Sequence, residues 1–171
     1  MVTSIEQVIE AYGDYLLRVA YVYVKNKETA EDIVQEVFIT YYEKHAQFRH
    51  ESSLKTYLVK MTVNRCHDYL RSWRHKRIVL FEKVTGKQTN ETPEKVYVEQ
   101  VEQTNLLAVL LTLSLPYREV IVLYYYEELS TVAIAKMLNC SESTIRSRLQ
   151  RARRQLKNRM NADDWEAFSH E

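Results

Sequence analysis

The chain has 171 residues, 46% of them apolar and 27% charged, with a formal net charge of +1; such a composition fills a buried core and excludes a disordered or collagen-like polymer. With two Gly and two Pro in the whole chain, and neither sustained alternation nor an Asn-Gly or Asp-Gly hairpin signal, an all-α fold is expected. No apolar run approaches the roughly 20 residues that span a bilayer, MVTSIEQVIEAYGDY lacks a signal-peptide pattern, and Cys66 and Cys140 stand apart without further ligands, so the expectation is a cytoplasmic protein with reduced thiols, no metal site and no cofactor.

Charge is unevenly distributed. Residues 1–43 carry eight acids against three bases, 55–77 carry seven Lys or Arg and the single acid Asp68, and 146–159 carry seven Lys or Arg and no acid. Within the acidic block, TAEDIVQEVFITYYE (29–43) places Ile33, Val34, Val37, Phe38 and Tyr41 at helical spacing, with Thr29 and Asp32 resembling a capping box. Asp32, Gln35, Glu36, Ile39 and Glu43 are left outward, and spacing alone reads that face as solvated surface.

The first basic block follows FRHESSLKTY, a polar stretch with Ser52 and Ser53 between Phe48 and Tyr57. On a helix, Leu58, Met61, Thr62, Cys66, Tyr69, Leu70 and Trp73 form an apolar stripe, while Lys60, Asn64, His67, Arg71 and Arg74 run along the opposite side. Cationic groups mixed with aromatic rings suit unstacked single-stranded bases; the rings read also as core, which is the preferred reading for Tyr69 and Trp73. From Ile78 to Gln103 the chain includes Gly86 and Pro93 and has no long periodic stripe. It is expected to be a linker between helical domains at 1–77 and 104–171.

In the second domain Ser130 is suited to cap a short helix, Thr131 to Leu138, which buries Ile134, Ala135 and Leu138 and ends at Asn139 in the left-handed conformation. Ser141 then caps a basic helix in which Ile145, Leu149, Ala152 and Leu156 pack, while Ser143, Arg146, Ser147, Gln150 and Arg154 point away. A helix, a three-residue turn and a basic helix make a helix-turn-helix, whose second helix enters the major groove by its N-terminal end. A helical hairpin with a solvated cationic face is the alternative, and the acid-free run weighs against it. An enzyme is not expected: the chain lacks a Gly-rich phosphate loop and a metal-ligand cluster, and the neighbours His67 and Asp68 point to different faces.

Taken together, AEDIVQEVF, the Phe48 segment with SSLKTYLVKMTVN, DYLRSWRHKR, and the run LP, YREVIVLYYYEELS, IAKMLNCSESTIRSRLQRAR resemble, in order and over nearly the whole chain, the extracytoplasmic-function (ECF) sigma factors, two-domain subunits of bacterial RNA polymerase. The resemblance implies that the first domain grips the β′ clamp helices of core polymerase and melts the −10 promoter element, and that the second reads the −35 element. Residue by residue, it gives the core-polymerase contact to Asp32, Gln35, Glu36 and Ile39, reversing the solvated reading of that face. It places Ser52, Ser53 and Tyr57 in or beside the loop that captures a flipped −10 base, puts Asn64 in the same site, and has Lys60, Arg65 and Arg71 holding the strand. At the −35 element, Ser143 stands at the helix start, Arg146, Ser147, Gln150 and Arg151 face the groove, and Arg148, Arg153 and Arg154 meet phosphates, which fix register without specifying sequence.

The chain departs from the family in having Tyr57 where Trp is usual, Ala133 where an acid is usual and Ser143 where Gly is usual, which leaves the promoter sequence open. Core polymerase and promoter DNA are the implied partners, and relatives often have an anti-sigma factor. A stand-alone helix-turn-helix regulator is the competing reading; it would use the same basic helix but would normally need a dimerisation or ligand-sensing module.

Overall fold

The computed structural model describes residues 4–45, 52–85, 105–160, 165, 166 and 168, and of residues 75–85 and 105 the backbone alone. Phe48 and residues 86–103 of the expected linker lie outside the described residues. The described residues form helices and turns without a strand, as the scarcity of Gly and Pro predicts, and the chain divides into two compact units, Met1–Tyr97 and Val98–Glu171.

The first unit packs three helices on one another: α1 (Ile5–Val24), α2 (Lys27–Lys44) and α3 (Leu54–Thr85). A capping box starts α1: Ser4 Oγ accepts from the Gln7 N–H, and Gln7 Oε1 accepts from the Ser4 N–H at 3.0 Å. Lys25, with φ of 57°, ends it. The left-handed turn leaves Asn26 extended, and its Oδ1 accepts from the Thr29 N–H at 2.8 Å. Asn26 is therefore the cap of α2, which begins two residues before Thr29; the capping box expected of Thr29 and Asp32 is displaced by this earlier and stronger one.

The core of the unit is built from Val8, Leu16, Val19, Ala20 and Tyr23 of α1, Ala30, Ile33, Val34, Val37 and Phe38 of α2, and Leu58, Val59, Thr62, Val63 and Cys66 of α3. The α3 stripe thus differs from its sequence reading. Val59 and Val63 belong to it, Met61 is half-buried, and Tyr69 and Trp73 are 38% and 47% exposed rather than core. Length explains the difference: 32 residues of α3 span about 48 Å and the 20 of α1 about 30 Å. Tyr23, next to the end of α1, meets the His67 ring edge-on at 5.7 Å, so the turns of α3 beyond this point run past the helix that covers its first half. The backbone of α3 is helical through Thr85, the last residue described before residue 105, and so extends into the segment read as linker.

The second unit consists of α4 (Asn105–Thr112), α5 (Leu115–Ile121) continued by a π-helical turn (Val122–Tyr126), α6 (Thr131–Met137) and α7 (Glu142–Lys157). Leu113, Val120, Leu123, Ile134, Ile145, Leu149, Ala152 and Leu156 form its core. The Arg118 Nη1 donates to the Leu113 carbonyl at 2.8 Å, tying the start of α5 to the end of α4. Ser130 caps α6 by accepting from the Ala133 N–H, Asn139 takes φ of 54°, and Ser141 caps α7 by accepting from the Thr144 N–H at 3.2 Å. Leu138 is half-buried.

Candidate nucleic-acid interface

On α2, the residues left over from packing line up. Asp32, Gln35, Glu36 and Ile39 are all exposed, Ile39 to 59%, and Tyr42, which sequence reasoning missed, to 62%. Tyr42 follows Ile39 by three residues and Gln35 by seven, so the helical spacing that selected the others selects it too. Two large apolar side chains among carboxylates are an uncommon use of surface. Glu36 is not free-standing: its carboxylate lies 3.7 Å from Arg65 Nη1, and Arg65 Nη2 donates to Thr40 Oγ1 at 3.3 Å, which itself donates to the Glu36 carbonyl at 2.8 Å. Arg65 is thereby drawn to α2, away from its neighbour Asn64.

On α3, Lys60, Asn64, Arg71 and Arg74 are exposed and share the side away from the core. Arg71 keeps a loose ion pair with Asp68 at 3.8 Å, and Tyr57 is half-buried. Ser52 and Ser53 stand at the entrance to this helix. The Ser53 hydroxyl accepts from the Thr56 N–H at 3.1 Å and shares a 2.9 Å hydrogen bond with the Thr56 hydroxyl, so it caps α3, while Ser52 Oγ donates to the Ser53 carbonyl at 3.3 Å. Behind this face Cys66 is buried, and desolvation pushes its thiol up to about 12.

On α7, Ser143, Arg146, Ser147, Gln150, Arg151 and Arg154 form one continuous exposed stripe opposite Ile145, Leu149, Ala152 and Leu156. Arg148 and Arg153 do not join it. Arg148 reaches the buried Glu119 at 3.5 Å, and Arg153 donates from Nε to the Tyr125 hydroxyl at 2.6 Å, with its guanidinium 5.5 Å and 5.4 Å from the Tyr124 and Tyr125 ring centres. Both flank the buried stripe, Arg148 between Ile145 and Ala152 and Arg153 between Leu149 and Leu156, so their stems are directed toward the partner helices. Glu142, which the sequence reading passed over, accepts at one oxygen from Arg146 Nε at 3.0 Å, from Arg146 Nη2 at 2.7 Å and from the Thr131 hydroxyl at 2.6 Å. The hydroxyl first, then the guanidinium, hold its carboxyl below the usual carboxylate range.

Residues 8–76 match the family model for sigma-70 region 2 and residues 103–156 that for sigma-70 region 4. The ECF RNA polymerase sigma factor SigM of Bacillus subtilis (strain 168) is 30% identical over 156 residues, covering 90% of this chain and 93% of SigM. The probable RNA polymerase sigma factor RfaY of Xanthomonas campestris pv. campestris is 25% identical over 90% of this chain, which spans 40% of the length of RfaY. The sigma factor RpoE of Bartonella quintana, solved in complex with the anti-sigma factor NepR, superposes with a TM-score of 0.70 at 24% identity, covering 92% of this chain and 97% of that one. Regions 2 and 4 in the expected order, two helical units that carry them, and a full-length relative at this identity lead to one family: the chain belongs to the ECF sigma factors of bacterial RNA polymerase.

Proposed function

We propose that the exposed face of α2, made of Asp32, Gln35, Glu36, Ile39 and Tyr42, docks on the β′ clamp helices of core polymerase. In the same reading the Lys60, Asn64 and Arg71 face of α3 takes the opened −10 strand, and the α7 stripe of Ser143, Arg146, Ser147, Gln150, Arg151 and Arg154 reads the −35 element. Residues 1–77 and 104–171 would be the corresponding functional domains. The observation that carries this is the pairing of acids with exposed Ile39 and Tyr42, since apolar groups in a charged rim are how helices mark a protein contact. A stand-alone regulator would have no use for that face.

Arg148 and Arg153 support the second unit from within rather than meeting phosphates, and Arg65 orients the α2 face through Glu36. The protein acts as a binding subunit, with no cofactor, and works where polymerase and DNA are, in the cytoplasm. An anti-sigma factor of the kind solved with the Bartonella quintana protein is a further partner this reading admits, and it would compete for the same faces.

Asp32→Lys and Ile39→Ala leave the Glu36–Arg65 pair in place. Each is expected to weaken binding to core polymerase by about tenfold, while helicity and binding of −35 DNA by the second unit stay as in the parent. Unchanged polymerase affinity in the double variant would remove α2 as the docking face.

A further inference from the structure

Glu142 is the single acid within α7, and a carboxylate next to a DNA-reading surface is a liability unless it is occupied. Here one oxygen takes three donors, from Arg146 Nε, Arg146 Nη2 and the Thr131 hydroxyl at 3.0, 2.7 and 2.6 Å. A guanidinium offers five N–H groups in a planar fork. Holding Nε and one Nη2 hydrogen uses the side edge and leaves the terminal edge, formed by Nη1 and Nη2. That edge matches the two acceptors, O6 and N7, that guanine shows in the major groove. Arg146 sits one turn into α7, on the exposed stripe, with its side chain 70% accessible.

The same contact changes how Arg146 adds to affinity. An unpaired Arg near DNA attracts every phosphate and releases counterions irrespective of sequence. Paired with Glu142 it is locally neutral and has fewer rotamers to lose, so what remains is the directional contact.

We propose that Glu142 is a positioning residue for promoter selectivity: it clamps the side edge of Arg146, presents the terminal edge to a guanine of the −35 element, and cancels the charge that would otherwise bind DNA indiscriminately. This rests on the reading that α7 enters the major groove. Thr131, the first residue of α6, steadies the carboxylate from the other side, so the clamp also joins the two helices of the helix-turn-helix.

The test uses the full-length protein assembled with core polymerase, a promoter set varied one base at a time across the −35 element, and a salt titration. Arg146→Ala should flatten preference at one or two positions, which identifies the base it reads. Glu142→Gln should lower preference at that same position by about tenfold, within the range of a bidentate base contact, while binding non-promoter DNA more tightly and steepening the log affinity against log salt slope by about one. Combining the two substitutions should give no further loss of preference than Arg146→Ala alone.

Thr131→Val breaks the tie between α6 and α7 but leaves the carboxylate on Arg146. It should lower thermal stability and leave the salt slope and base preference unchanged, in contrast to Glu142→Gln; if Glu142 served only to join α6 to α7, the two substitutions would behave alike. If Arg146→Ala flattens a position and Glu142→Gln changes neither that preference nor the slope, the clamp is wrong while the groove reading stands. If Arg146→Ala has no position-specific effect, the groove reading fails and the clamp with it.

Discussion

Arg148 and Arg153 carry the same charge as Arg146 and Arg154 and lie among them in sequence, yet they serve the fold, one against Glu119 and the other against Tyr124 and Tyr125. A count of cations cannot make that distinction. Spacing from Ile145, Leu149, Ala152 and Leu156 can, because a residue three or four from two buried positions is held at the packing boundary. Asn64 is the opposite case, exposed beside Lys60 and Arg71 with no packing to do. Asn64→Ala is expected to form the initial complex with polymerase and duplex promoter but to yield less permanganate-reactive DNA at the −10 element, with activity restored on a template already mismatched there. Absence of rescue on that template would assign Asn64 a different role. Glu142 sets a pH dependence whose sign is fixed by its lowered carboxyl. Its contribution is complete above the ordinary 4.5 and is lost as pH falls through the folded value. Melting temperatures of the parent and Glu142→Gln should therefore converge on acidification below about pH 4.5, and a constant gap down to pH 3 would contradict the bonding described.

Elements whose ends are written locally were legible, and those set by neighbours were not. Ser130, Asn139 and Ser141 define α6 and α7 by their own side chains and backbone preferences, so the helix-turn-helix is visible in the sequence. The start of α2 depends instead on the left-handed turn at Lys25, which puts Asn26 in the capping position. The α3 stripe depends on where α1 ends, which periodicity within α3 does not contain; hence Tyr69 and Trp73 continue the apolar side yet stay 38% and 47% exposed. Two substitutions follow from element chemistry. At Gly13, inside α1, a Cβ would meet only Ile9 Cγ2 at 4.0 Å, so Gly13→Ala should stabilise the first unit by about 0.5–1 kcal/mol. Ser141→Ala should cost the second unit about 1 kcal/mol by removing the α7 cap. Thermal or denaturant unfolding reads both, and a loss of stability in Gly13→Ala would mean that the position has a packing demand beyond its nearest atoms.

At the scale of the whole molecule, a net charge of +1 conceals an acidic, partly apolar face on α2 and cationic faces on α3 and α7. The proposed function gives each a different task, and the sum reports none of them. The cysteines are divided in the same way, one to each unit and in unlike surroundings. Cys66 lies in the three-helix core with its thiol pushed up to about 12, whereas Cys140 is half-buried next to the cap of α7. At neutral pH Cys66 holds about a thousandth of the thiolate of a cysteine at the ordinary 9.0. A maleimide should accordingly label the native protein once, at Cys140, and a second time only on unfolding, with peptide mass mapping to show the order; early modification of Cys66 would contradict the buried core. The unmodified sequence thus comes with a built-in attachment point for a fluorophore one residue before Ser141, at the start of the helix that carries the proposed reading stripe, and a change in its emission on adding promoter DNA to the polymerase-bound protein is the signal that the proposed division of labour between the two units predicts.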